Sequence, residues 1–371
     1  MKTLLLHLFA RAFVRPAIAV ALASALALPA LARDDAHYIY TLDNAVTDNK
    51  VLVIRHNADG TLAAAAAVST GGKGTGNGLG SQGSLALSDN GRWLFAVSAA
   101  SNQISVFAID EGELRLASIV SSGGTLPVSV TSHGKLVYVL NAGGAGNISG
   151  FEVDHRGALV PVPGSTRGIG AAGSGPAEIK FTRDGEHLVV SEKAANQLLV
   201  FDLDDGVARL ASMNASAGAV PFGFDIDRRD QVIVSEAFAG DVSSYELRER
   251  TDNLAIVTAS AHTYQGAPCW LILTPNGRYA YTGNAGTGTI TGFGVSHKGV
   301  LNILVPSGLS GSTGAGSHTT DLATSEDGKF LYALANTGQT VTAFRIARDG
   351  SLTPAGEFPG VPMSAVGLVA R

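Results

Sequence analysis

Three acidic residues could carry out acid–base chemistry in this chain. Glu192 and Glu236 each end a β-branched run in the context V-S-E, and Glu178 precedes Glu192 on the strand-like segment before it. Carboxylates that share a small site raise one another's pKa, which suits general acid–base catalysis or cation binding. We therefore predict Glu178 and Glu192 as catalytic residues and Glu236 as a substrate-binding residue. The alternative is that all three are solvated acids on a loop face.

His318 is the histidine with the strongest claim to a role. The other histidines are scattered, without the H-x-H or H-E-x-x-H spacing of a metal site. Asp321 follows His318 by three residues, and in a strand such positions face opposite sides. We predict His318 as a third catalytic residue and Asp321 as a substrate-binding residue. No cofactor or metal is predicted, although clustered carboxylates would leave room for one divalent cation.

Trp270 and Gln82 complete the set of predicted substrate-binding residues. Trp270 could stack on a ligand ring or simply pack in the protein interior. The lone cysteine, Cys269, has no histidine spaced to activate it and is expected to be a buried small apolar residue. No G-x-S-x-G motif is present, so a serine-nucleophile hydrolase has no support.

The glycine-rich segment GGKGTGNGLGSQG, residues 71–83, contains a G-x-G-x-x-G pattern. A phosphate-binding loop needs a helix directly after it, whereas here a strand-like SLALS follows. We therefore interpret the segment as a connection between two structural units. Because it lies near a predicted ligand site, it could also cover that site as a lid.

A repeat of about 48 residues supplies the elements that must position these side chains. One strand-like run recurs after a turn pair, and a second strand then ends on a bulky residue. The first run reads RWLFAVS, KLVYVLN, EHLVVSE, QVIVSE, RYAYTGN and KFLYALA. The second strand ends at Ile54, Phe107, Phe151, Phe201, Tyr245, Phe293 and Phe344. Alternation after tight turns is typical of hairpins.

Seven such units of four strands predict an all-β, seven-bladed β-propeller, because each small sheet can bury its two apolar faces only against neighbouring sheets. The first unit, from Tyr38, lacks an innermost strand, and the tail MSAVGLVA (363–370) is predicted to supply it and close the ring. The innermost strands should begin at one mouth of the central channel. The stretches placed there are Gln82–Ser84, Pro127–Ser129, Pro176–Glu178, Pro221–Gly223, Pro268–Trp270 and Ser317–Thr319.

Residues 1–32 have the features of a secretory signal peptide: basic residues, an apolar run of about 12 residues and an A-x-A site at Ala30–Ala32. A membrane anchor is the alternative, but that run is short of the ~20 residues a spanning helix needs. We therefore expect residues 33–371 to form a single domain exported to the periplasm or the medium. The formal charge of −5 and the absence of basic runs argue against nucleic acid as a partner, and a monomer without a membrane span is expected.

The chain resembles the seven-bladed β-propeller lactonase family, which includes bacterial 6-phosphogluconolactonase and fungal carboxymuconate-lactonising enzymes. The resemblance rests on the pattern GAPCWLILTPNGRYAYTGN…ITGF…KGVL and covers roughly residues 38–369. Active members carry Pro-Arg-His or Pro-Arg-Trp on an inner strand and an acid further on. Here Ala177 and Glu178 replace the Arg-His pair, and Glu192 matches the acid. Since alanine cannot hold an anion, a phosphorylated or tricarboxylate substrate is disfavoured.

Two functional classes follow from these observations. The first is a lactonase-like hydrolase in which Glu192 or Glu178 activates water, while His318 or backbone amides polarise the lactone carbonyl. The second is a non-catalytic propeller that binds a protein, a glycan or a small molecule on its channel face.

Overall fold

The computed structural model describes Met1, residues 36–248 and residues 250–371. The predicted signal peptide therefore lies outside the described part of the chain, apart from Met1. The compact unit Asp35–Arg371 contains all the strands described below.

The described residues of this unit form thirty strands. The first half of the chain forms β1 (His37–Leu42), β2 (Lys50–His56), β3 (Leu62–Ser69), β4 (Leu85–Leu87), β5 (Trp93–Ser98), β6 (Gln103–Asp110), β7 (Glu113–Ser121), β8 (Pro127–His133), β9 (Leu136–Asn141), β10 (Asn147–Val153), β11 (Leu159–Pro161), β12 (Arg167–Gly168), β13 (Pro176–Phe181), β14 (His187–Glu192), β15 (Gln197–Asp204) and β16 (Val207–Ala215). One short 3-10 turn spans Ala99–Ser101.

The second half of the chain continues the same rhythm. It forms β17 (Pro221–Ile226), β18 (Gln231–Glu236), β19 (Asp241–Arg248), β20 (Asn253–His262), β21 (Pro268–Leu273), β22 (Tyr279–Asn284), β23 (Thr289–Val295), β24 (Leu301–Ile303), β25 (Gly311–Ser312), β26 (Thr319–Thr324), β27 (Phe330–Ala335), β28 (Thr340–Ile346), β29 (Leu352–Pro359) and β30 (Val366–Ala370).

These strands form seven antiparallel sheets arranged as the blades of a propeller, as the sequence predicted. Blade 1 is ordered β3-β2-β1-β30, so the C-terminal strand pairs with β1 and closes the ring. Blades 2, 4, 5 and 7 each contain four consecutive strands. In blades 3 and 6 the outermost strand is split into two short pieces, β11 with β12 and β24 with β25.

A recurring turn between the first two strands of a blade explains part of the sequence pattern. In S/T-x-N/D-G the hydroxyl of the first residue donates to the side-chain oxygen of the third. This bond measures 2.9 Å from Ser88 to Asn90, 2.7 Å from Thr182 to Asp184 and 2.8 Å from Thr274 to Asn276. The turn is therefore stabilised by hydrogen bonds between its own side chains.

Bulky side chains at the blade interfaces form the core. Phe107, Phe201 and Phe293, which lie in the third strand of their blades two or three residues before its end, are fully buried. In several blades the outer strand bulges opposite this residue, as at Phe107 and Phe201. Burial of one such side chain stabilises the fold by about 1.5–3 kcal/mol. The blade interfaces therefore hold the inner strands in place around the channel.

Candidate functional site

The inner strands begin at one face of the ring, and the structure corrects the predicted alignment of the seventh blade there. Thr319 pairs with Ala335 as Pro268 pairs with Asn284, so Thr319 is the equivalent of Pro268. His318 lies one residue earlier, in the left-handed region at φ 53°. The alignment predicted from the sequence was shifted by two residues in blade 7. Blades 3 to 6 have a proline at this position, whereas blade 7 has a threonine.

With the register corrected, Asp321 becomes the blade 7 counterpart of Glu178 and Trp270. These residues occupy the third position of their inner strands. At this position a polar side chain can accept a hydrogen bond from the next blade: Ser129 accepts from the Ile179 amide at 3.2 Å, and Glu178 accepts from the Phe224 amide at 2.7 Å. The third position therefore joins neighbouring inner strands around the ring.

Gln82 closes the channel from the end of the glycine-rich segment. Its Nε2 donates to the Leu271 carbonyl at 2.6 Å, and its Oε1 accepts from the Leu271 amide at 2.9 Å. Its own amide donates to the Ala177 carbonyl at 3.1 Å. Next to it, Ser81 Oγ donates to the Val128 carbonyl at 3.0 Å. Residues 81–82 thus bind the inner strands of blades 3, 4 and 6.

Gly223 makes room for the Gln82 carboxamide. Gly223 holds the third position of blade 5 and has no side chain to accept the Leu271 amide of blade 6. A Cβ at this residue would lie 2.1 Å from Gln82 Oε1 and 2.8 Å from the Cys269 carbonyl oxygen. Gln82 therefore supplies, from the opposite side of the ring, the acceptor that other blades carry in their own strand.

Above this closure, Lys193, Phe222 and Trp270 form a cluster at the channel mouth. Lys193 Nζ lies 4.8 Å from the centre of the Phe222 ring and donates to the Gly80 carbonyl. The Phe222 and Trp270 rings lie 5.0 Å apart with an interplanar angle of 60°, and Trp270 Nε1 donates to the Ser81 carbonyl at 3.0 Å. A cation is thus held on an aromatic surface beside a closed channel.

The cluster has a distinct electrostatic character. Burial lowers the pKa of Lys193, although the nearby Cys269 thiol opposes this. Burial raises the pKa of Cys269 to about 12, with Lys193 working in the opposite direction. The thiol is therefore protonated near neutral pH and has no thiolate to act as a nucleophile.

Below Gln82, the channel contains a second charged group. Lys180 Nζ lies 2.6 Å from Asp225 Oδ1. Burial alone would lower the pKa of Lys180, but the Asp225 and Glu178 carboxylates outweigh it and raise that pKa. Burial raises the pKa of Glu178 well above its usual value and that of Asp321 to about 8. Asp321 Oδ1 accepts from the Leu322 amide at 2.8 Å, and its Oδ2 is buried as well.

Glu192 and Glu236 lie apart from this group, at a position that every blade repeats. Each ends the second strand of its blade and is fully buried. Glu192 Oε2 accepts from Gln197 Nε2 at 2.6 Å, and Glu236 Oε1 accepts from Ser216 and Ser243 at 2.7 Å each. The equivalent residues elsewhere are Ser98, Asn141, Asn284 and Ala335.

The predicted site residues thus divide into separate environments. Glu178 and Asp321 share the closed channel, where their charges interact. Trp270 lies at the mouth and His318 is exposed on the loop that leads to β26. Gln82 is 5% exposed and bonds to the protein itself. Their predicted roles in substrate binding and catalysis remain predictions.

Sequence reasoning missed Lys193, Phe222 and Gly223. A signal for Phe222 and Gly223 was available, since both lie in the inner-strand stretch that starts at Pro221. Lys193 directly follows Glu192, in the turn on the same face of the ring. Its contact with Gly80 joins residues far apart in the chain and has no local signature.

Two further findings concern the described residues alone. Among them, no group of three or more His, Cys, Asp or Glu side chains has an arrangement that could hold a metal ion. No helix found there has the length and hydropathy to cross a bilayer.

The fold and the site together define a seven-bladed β-propeller with a cationic, aromatic cluster at a closed channel mouth. The family model of the seven-bladed β-propeller lactonases matches residues 33–168 and 161–265, more than half of the chain. The protein therefore belongs to this lactonase family.

Relatives and solved structures agree with this assignment. The 6-phosphogluconolactonase of Serratia proteamaculans is 25% identical over 274 residues, which cover 70% of this chain and 78% of the relative. That of Erwinia tasmaniensis is 23% identical over 271 residues, with the same coverage. The periplasmic gluconolactonase PpgL of Pseudomonas aeruginosa superposes with a TM-score of 0.69 at 16% identity, over 90% of this chain and 99% of that one. A Bacteroides uniformis protein gives 0.73 at 20% identity, over 89% and 98%. At these identities the structures show the shared fold alone.

Proposed function

We propose that the protein hydrolyses a lactone at the channel mouth. The observation that carries this proposal is the cluster of Lys193, Phe222 and Trp270 described above. The aromatic rings offer an apolar face for a lactone ring, and the ammonium group offers a positive charge beside it. Family membership supports the reaction class.

Lys193 is assigned the role of stabilising the carbonyl oxygen. Attack of water on the lactone carbonyl carbon places negative charge on that oxygen, and an ammonium group at low dielectric stabilises the charge that develops. Lys193 is already held on the Phe222 ring and bonded to Gly80. Little reorganisation is then required when the substrate arrives.

His318 is assigned the role of general base, since it is exposed on the same face of the ring. It would take a proton from water as the oxygen of that water bonds to the carbonyl carbon. The ring C–O bond then breaks, and the released alkoxide takes the proton back from the imidazolium. Glu178 lies below Gln82 and is assigned a positioning role, because it bonds the Phe224 amide two residues beyond Phe222.

The test is lactone hydrolysis by the purified protein and its variants, with glucono-δ-lactone and its 6-phosphate as probes. We expect Lys193→Ala to reduce kcat/KM by about a hundredfold or more, the typical effect of losing an oxyanion-stabilising group. His318→Asn should also lower kcat, because the variant has no side chain that can take a proton from water. Lys73→Ala, in an exposed lysine of the glycine-rich segment, is the matched control. Equal rates for Lys193→Ala and Lys73→Ala would refute the assignment.

The choice of probes also addresses the substrate class. Ala177 is fully buried and its carbonyl is occupied by Gln82, so this residue offers nothing to a phosphate group. The neutral lactone is therefore the substrate we expect, in line with the name gluconolactonase that PpgL carries. A preference for the phosphorylated lactone would show that Lys193 binds the phosphate instead.

Export is part of the proposal, and the basic and apolar pattern of residues 1–32 supports it. Expression of the full chain in a Gram-negative host should yield a periplasmic protein whose first residue is Arg33. Recovery of uncleaved protein in the membrane fraction would instead support an anchor.

The closed channel favours a second candidate, which is ligand binding without turnover. Glu178 is 3% exposed and Asp321 is 2% exposed, so neither of these two carboxylates of the closed channel can touch a molecule at the mouth. In that case glucono-δ-lactone and gluconate would both bind, and Lys193→Ala would weaken both. Wild-type protein would then show no hydrolysis above the spontaneous rate.

A further inference from the structure

A recess between blades 5 and 6 lies outside the channel and originates in the split outer strand of blade 6. After β24 the chain leaves the sheet at Pro306 and returns as β25. The intervening loop folds onto the end of blade 5, where Gln265 Nε2 donates to the Ser307 carbonyl at 3.0 Å. A cavity of about 400 Å³ remains beside it. This volume falls in the range of roughly 300–1,000 Å³ typical of small-molecule sites.

An acid–imidazole pair stands at the rim of this recess. Asp241 Oδ1 contacts His262 Nδ1, and Asp241 Oδ2 accepts from Ser260 Oγ at 2.5 Å. The carboxylate is 10% exposed, whereas the imidazole is 63% exposed. Because Nδ1 faces the carboxylate, Nε2 is the ring nitrogen left to exchange a hydrogen bond with a ligand.

The blade scaffold does not require this pair. Asp241 and His262 are the first residue of the third strand and its partner in the fourth strand. In blades 1, 2, 4 and 7 the equivalent pairs are Lys50 with Ser69, Gln103 with Ser121, Gln197 with Ala215 and Thr340 with Pro359. The acid–imidazole pair is therefore particular to blade 5.

The rest of the recess is apolar at its base and polar at its edge. Phe293 and Leu301 are buried in its lining, and the exposed Asn302 lies at its edge. Tyr264 is 67% exposed, and its ring lies 5.9 Å from the His262 imidazole. An exposed aromatic ring next to free hydrogen-bonding groups is suited to an amphipathic ligand.

We propose that this recess binds a cyclic polyol such as a monosaccharide. The C–H face of a pyranose ring would pack on Tyr264. Its hydroxyl groups would donate to His262 Nε2 and exchange hydrogen bonds with the Asn302 amide. An uncharged, hydroxylated ligand matches the site, because both oxygens of Asp241 are already hydrogen-bonded to His262 and Ser260 and none is left to bind a cation.

Titration calorimetry of the purified protein with methyl β-D-glucopyranoside tests the proposal, because this probe contains no lactone. We expect a millimolar Kd and a loss of about tenfold in affinity for Tyr264→Ala. His262→Ala should also weaken binding. Ile256→Ala, an exposed apolar residue on the same strand, is the matched control and should bind as wild type does.

The outcomes separate this site from the channel mouth. Lys193→Ala should bind the glucoside normally, whatever its effect on lactone hydrolysis. The proposal is overturned if wild-type protein shows no binding up to about 100 mM glucoside or if Tyr264→Ala binds as tightly as wild type. It also falls if Lys193→Ala abolishes binding, because the sugar would then occupy the mouth.

Discussion

Replacing Gln82 by alanine tests whether one side chain holds the ring together across its centre. The variant loses both hydrogen bonds to Leu271, of 2.6 and 2.9 Å, in a position that is 5% exposed. Each buried backbone group left without a partner costs about 1–3 kcal/mol. The freed rotamers of glutamine return up to about 2 kcal/mol. We expect the free energy of unfolding to fall by about 2–4 kcal/mol.

Equilibrium unfolding in urea, followed by tryptophan fluorescence, measures this change. Trp270 is a suitable reporter because its indole donates to Ser81 at 3.0 Å, directly beside Gln82. Gln103→Ala is the control, since this half-buried glutamine lies on a strand away from the channel, and it should cost less than about 1 kcal/mol. A loss below about 1 kcal/mol for Gln82→Ala, with an unchanged m-value, would refute the reasoning.

Three further predictions follow from the same contacts. Gly223→Ala should destabilise the protein, because the new Cβ would lie 2.1 Å from Gln82 Oε1 and 2.8 Å from the Cys269 carbonyl oxygen. The loss should be smaller in the Gln82→Ala background, where only the contact with Cys269 remains. A double-mutant cycle measures this coupling. Asp321 has a pKa of about 8 when folded, against 3.8 for a free side chain. The folded state therefore binds the extra proton, and stability should fall by a few kcal/mol as pH rises from about 4 to about 8. Asp321→Asn should reduce that dependence in urea titrations at several pH values, with the remainder coming from Glu178, whose pKa is also raised. Glu192→Gln should keep wild-type lactone hydrolysis, since asparagine serves at the equivalent positions of two other blades; a large loss of kcat would restore Glu192 as the base.

The sequence was enough to predict the blades, because their signals are local. The turn seen at Thr274–Gly277 recurs in four blades, and a bulky buried residue recurs in the third strand of the repeat. The closing strand could be predicted as well, since the first unit visibly lacks a partner. The pairing register of the inner strands was harder to predict, because it depends on contacts between strands. The start of β26 at Thr319 has no proline to indicate it in the sequence.

The site could be predicted only in part, because its contacts join distant residues. Gln82 and Leu271 are 189 residues apart, and no local pattern links them. Glu192 and Glu236 share a suggestive context, but their partners lie in neighbouring turns and strands that the context does not show. Both acids occupy the position that ends the second strand of a blade, and this equivalence is visible only when the blades are superposed.

Closure of the ring by β30 also determines when during synthesis the first blade can be completed. Tyr38 and Arg371 exchange both backbone hydrogen bonds, at 2.8 Å each, so the first blade is completed by residues that follow all the other blades in sequence. Until residues 366–371 have left the ribosome, β1 has no inner neighbour and blades 7 and 1 cannot seal against each other. Such long-range pairing makes the final folding step slow. Blade 1 can therefore be completed only after the strands of all the other blades have been synthesised.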